Sequence, residues 1–168
     1  MKIKFLIVVF FSIMTLNLKA QEGIFEKIEN KTWFENSGFA GTTVVFYKTT
    51  NGLLKAIRQI NGSGVPVVRS EIYDIEIRKD TIYLFNGLNL KTAEKIGNYY
   101  YNFDNKTGFI YKNGVQLEIL SVEPVLFIWI KRREYLTTQI NVKLLSQISI
   151  SKNEVYKEND LIQILKDQ

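Results

Sequence analysis

The chain has 168 residues, 22 Lys and Arg against 17 Asp and Glu, and neither His nor Cys. Those two absences remove Ser-His-Asp and Cys-His nucleophilic centres, His-ligated zinc and copper, and disulfides. What remains is carboxylate, Lys or Tyr chemistry, oxygen-ligated calcium, or no chemistry at all.

The first element is a leader. Met1-Lys2-Ile3-Lys4 is a basic start, Phe5 to Leu16 is a 12-residue apolar run, and Asn17-Leu18-Lys19-Ala20 is a polar exit ending in a small residue. This is the three-part layout of a secretory signal peptide. A membrane-spanning helix needs about 20 apolar residues, more than this run supplies. The expectation is cleavage after Ala20, export to the periplasm or the extracellular space, no remaining transmembrane anchor, and one domain over residues 21–168. Three of the 22 basic residues leave with the leader, which lowers the formal charge from +5 to +2. With no basic stripe, nucleic acid is not an expected partner.

After the leader the dominant period is two. Ile24 to Ile28 forms a short helical turn ahead of Trp33. Thr43 to Lys48 and Leu53 to Ile60 flank Asn51-Gly52, a hairpin signal because tight turns need positive φ. Glu71 to Arg78 alternates Tyr73, Ile75 and Ile77 with Asp74, Glu76 and Arg78, the pattern of a strand with one wet face. Lys79-Asp80 leads to Thr81 to Phe85, which Asn86-Gly87 is expected to end. Asn98 to Phe103 pairs with Phe109 to Lys112 across Asp104–Gly108, which reads as a hairpin turn, not a calcium loop. Asn113-Gly114 then turns into Val115 to Val122. Beyond Pro124 come an apolar strand, Val125 to Lys131, and a β-like stretch from Tyr135 to Ile150. Residues 153–167 have helical spacing. The expected fold is all-β: an antiparallel up-and-down meander of about eight strands closed into a barrel, with a C-terminal helix. An open sheet or a two-sheet sandwich is the alternative.

The order of short helical turn, Asn30-Lys31-Thr32-Trp33-Phe34 and a run of hairpins resembles the lipocalin-like (calycin-type) β-barrels. The resemblance implies that Trp33 plugs one barrel end and that a late basic residue, Arg132 or Arg133, packs over it. It departs from the family at Lys31, where a Gly is usual. The chain also looks like small secreted proteins of Bacteroidetes-type bacteria.

No catalytic or metal-ligating set is expected, and no cofactor, since neither a phosphate loop nor a dinucleotide fingerprint occurs. If the barrel holds a small apolar or aromatic ligand, its expected lining is Phe46, Tyr83, Phe85, Tyr99, Tyr101, Phe127 and Trp129, the strand aromatics. The plain alternative is that these rings are packing residues and that the protein is a non-catalytic structural or interaction module of the cell envelope. Tyr99-Tyr100-Tyr101 puts rings on both faces of one strand, so at least one is expected to meet water or a partner.

Overall fold

A computed structural model describes residues 22–36, 40–49, 52–62, 65–89, 92, 94–122, 125–130 and 136–141. The leader, Arg132, Arg133 and the expected C-terminal helix lie outside the described residues.

One short helix, α1 (residues 22–28), opens the described chain. Ile24, Phe25 and Ile28 point into the core while Glu22, Glu26 and Lys27 stay exposed. Asn30 at φ 56° takes the left-handed conformation that ends many helices. The last helical carbonyls have no partner within a helix. Here the Lys31 ammonium donates to the Lys27 carbonyl at 2.7 Å, and the Trp33 indole N–H donates to the Ile28 carbonyl at 2.9 Å.

Strands β1 (Thr32–Asn36), β2 (Gly41–Lys48), β3 (Leu54–Gly62), β4 (Val65–Arg78) and β5 (Thr81–Asn89) follow as an antiparallel meander. The short β6 (Lys95–Ile96) pairs the end of β5, and β7 (Tyr99–Phe103) pairs its beginning. Next come β8 (Ile110–Lys112), β9 (Val115–Gln116) and β10 (Glu118–Ser121). Closure depends on Leu117. β9 pairs with β8 and β10 pairs with β1, so the stretch either side of Leu117 joins the last stave to the first. Leu117 itself is buried, and its N–H donates to the Ile110 carbonyl at 2.9 Å. With β9 and β10 as one stave, and β6 in line with β7, the sheet is a nearly closed barrel of eight staves. Closure removes the unpaired edges that an open sheet would present.

The turn chemistry matches the backbone. Asn113 and Gly114 have φ of 51° and 79°, as a two-residue hairpin loop requires, and Lys112 pairs directly with Val115. One turn expectation is corrected. Asn86-Gly87 does not end β5 but lies within it, as a bulge opposite Tyr73 where the β4–β5 register shifts. Asn86 supplies the positive φ of 53°. A Cβ on Gly87 would lie 2.3 Å from the Tyr73 ring, so glycine there makes room for an aromatic packed on the backbone.

Inside the barrel, Trp33, Val44, Phe46, Ile77, Ile82, Leu84, Phe103 and Ile110 form one apolar cluster with the buried face of α1. Asp74, Glu76 and Arg78 take the opposite face of β4, as their alternation implies. The outer face of β2–β4 is not simply wet, however: Val45, Tyr47, Ile57 and Ile72 are buried there as well. A separate two-stranded sheet, β11 (Val125–Ile130) with β12 (Leu136–Asn141), approaches the barrel at β4. The strand that carries Phe127 and Trp129 is therefore not a barrel stave.

Candidate functional site: a charged network inside the barrel

The half of the barrel interior away from α1 is ionic. Arg58 on β3 and Glu71 on β4 are direct cross-strand partners, and both point inward, in the rows of Ala56 and Tyr73. Their side chains are 3% and 1% exposed, deep enough that water does little to screen them. Arg58 Nη1 donates to Glu71 Oε2 at 2.7 Å, and the Tyr73 hydroxyl donates to the same oxygen at 2.6 Å. Arg58 Nε donates to the Tyr101 hydroxyl at 3.2 Å. Arg69 Nε lies 2.7 Å from Glu71 Oε1, an ion-pair distance but off the hydrogen-bond direction.

Tyr99 covers this network. The Arg58 guanidinium sits 3.8 Å from its ring centre, and Tyr73 meets it edge-on at 5.7 Å. Lys112 Nζ is 5.5 Å from the same ring and grips the Glu35 carboxylate at 2.8 and 3.0 Å. Alternation produces the cluster: Glu35 shares a face with Trp33, and Lys112 shares one with Ile110. The five staves β1, β3, β4, β7 and β8 thus aim Glu35, Arg58, Glu71, Tyr73, Tyr99, Tyr101 and Lys112 into one volume.

The electrostatics hold the network's phenols neutral and its guanidinium charged. Burial pushes the Tyr101 phenol up to about 12. Tyr73 is raised further, by burial and then by its bond to Glu71. Burial works against the Arg58 charge, but Tyr101 and Glu71 outweigh it and hold the guanidinium more firmly protonated than usual. At neutral pH neither phenol is a base and the arginine is a fixed cation. Among the described residues no three Asp or Glu side chains gather as a metal site.

The expected lining is only partly brought together. Tyr99 and Tyr101 belong to the network. Phe46 is core, meeting Tyr101 edge-on at 6.2 Å. Tyr83 faces outward, 39% exposed beside Arg78, and Phe85 lies in the same outward row. Tyr100, opposite Tyr83 on β7, is the ring of the triple tyrosine that meets solvent. The side chains of Phe127 and Trp129 lie outside the described residues. Trp33 is fully buried at the α1 end, edge-on to Phe109 at 6.3 Å. Among the described residues, the basic group over its ring is Lys31, at 5.6 Å; the expected partners Arg132 and Arg133 lie outside them.

Arg58 and Glu71 were not singled out from the sequence. Their signal was present: each is a charged residue in step with an apolar row.

The architecture defines a nearly closed antiparallel β-barrel with a buried ionic interior. No family model, no curated protein and no solved structure matches this chain.

Proposed function

We propose that the protein is an exported, lipocalin-like small-molecule-binding protein that holds an apolar or aromatic ligand in the barrel. Tyr99 offers the stacking surface, and Arg58, Arg69 and Lys112 meet the ligand's polar end. One observation carries the reading: an ion pair sealed in a barrel that apolar side chains could fill. Desolvation makes such a pair a poor source of stability, and well-packed apolar replacements are often neutral or stabilising. A buried network that stability alone does not call for points to recognition. The leader-like start of the chain supports export. The outward Asp74, Glu76 and Arg78 speak against strands that cross a membrane, because charges facing lipid are costly.

A second reading, an envelope structural or interaction module, is favoured by the way Arg58 and Tyr73 both donate to Glu71 Oε2. Native mass spectrometry of protein purified from the cells that make it separates the two. A co-purifying small molecule that Arg58→Met releases supports the carrier. A bare polypeptide mass under gentle conditions supports the module.

A further inference from the structure

A second site lies on the flank of the barrel wall. β5 pairs with β7 over Thr81–Leu84 and with β6 over Gly87–Leu88. Between those ladders, Phe85 and Asn86 face Gly97 and Asn98 without strand pairing, and the bulge falls in this gap. A cleft of about 480 Å³ opens there, within the range of about 300–1,000 Å³ common for small-ligand sites. Its apolar wall is Ile72, Leu88 and Ile96, and Tyr73 is the one residue it shares with the interior network.

The polar groups of the cleft divide in two. Asp74 is engaged: one oxygen pairs with the Lys55 ammonium, and the other accepts from the Asn86 amide at 2.7 Å. That arrangement is neutral and leaves little to offer a cation. Lys95 and Asn98 also line the cleft, are exposed, and make no side-chain hydrogen bond or ion pair among the described residues. An ammonium and a carboxamide then stand at the rim of an apolar wall with unused donors.

We propose that this cleft binds an organic anion with a compact apolar body. The anionic group takes hydrogen bonds from Lys95 Nζ and the Asn98 amide, while the body lies against Ile72, Leu88 and Ile96. The ligand contacts proposed here use none of the interior network's charged groups, so either proposal can fail alone.

The test uses two fluorescent probes: 8-anilinonaphthalene-1-sulfonate, an anion with an apolar body, and N-phenyl-1-naphthylamine, its uncharged counterpart. Each is titrated against the wild-type protein, Lys95→Glu, Lys95→Gln and Asn98→Ala, with circular dichroism confirming the fold. Loss of a charge-assisted contact corresponds to about tenfold in affinity. The expected result is sulfonate binding weakened about tenfold or more by Lys95→Glu, less by Lys95→Gln and Asn98→Ala, with the uncharged probe unaffected. Lys95 is exposed, so Lys95→Gln keeps the test decisive if the charge reversal disturbs folding. Sulfonate affinity unchanged in both Lys95 variants overturns the proposal. So does equal weakening of both probes, or sulfonate binding abolished only by Arg58→Met.

Discussion

Removing both members of the Arg58–Glu71 pair should cost far less than the sum of removing each alone. In Glu71→Leu the guanidinium stays buried without its counter-ion, a situation that costs about 3–5 kcal/mol. The Tyr73 hydroxyl, 2.6 Å from the lost oxygen, also loses its acceptor, adding about 1–3 kcal/mol. Rearrangement of Arg58 toward solvent offsets part of this, so the expected loss is about 5 kcal/mol, comparable with the whole stability of many domains. Arg58→Met should cost about 3–5 kcal/mol by the same reasoning, since it strands the carboxylate. The double variant Arg58→Met/Glu71→Leu buries no unpaired charge. It should lose no more than about 4 kcal/mol, against about 8–10 if the losses added. Glu71→Gln, which keeps shape and an acceptor, should fall between wild type and Glu71→Leu. Urea denaturation followed by circular dichroism measures each value. Additive losses, or single losses below about 1 kcal/mol, would show that the two groups are hydrated and uncoupled, and the buried network would be refuted.

Alkaline pH should destabilise the fold. Unfolded phenols titrate near 10 and Tyr101 near 12, so between those values the folded state holds more protons and stability falls as pH rises. Two pH units correspond to about 3 kcal/mol, and Tyr101→Phe should flatten the decline; phenolate absorbance alongside circular dichroism reads both. Trp33→Ala should cost about 3–5 kcal/mol in denaturation, and a Trp33→Phe/Lys31→Met cycle should show coupling of about 0.5–1 kcal/mol. The family resemblance puts Arg132 or Arg133 in that role instead; additive losses with Lys31 and coupling with either arginine would reverse the assignment. Gly87→Ala should lose about 1–3 kcal/mol by thermal melting, because its Cβ would strike a Tyr73 ring already held by Glu71 and Tyr99. A neutral result there would mean that the ring is free to move.

The all-β fold was legible because its determinants are local. Alternation along Glu71 to Arg78 chooses which side chains point inward, and Asn113-Gly114 carries the positive φ values its turn needs. The likeness to lipocalin-like barrels implied a Trp at one barrel end, and Trp33 is buried beside α1. Asn86-Gly87 misled because the same left-handed φ serves a bulge as well as a turn, and only the pairing of β4 with β5 distinguishes them. The strand aromatics divide between the inside and the outside of the barrel for a related reason. Period two says that Tyr83 and Leu84 face opposite ways, but a β-branched and aromatic strand does not announce which way is in. The network is a matter of closure. Alternation places Arg58 and Glu71 on inward rows, but pairing across β3 and β4, and then across the barrel to Tyr99, Tyr101 and Lys112, depends on register and on how the staves curl round to meet. Local sequence sets the direction in which a side chain points. Only the closed barrel decides what it finds there, because contacts between residues far apart in the chain exist only once the sheet has closed.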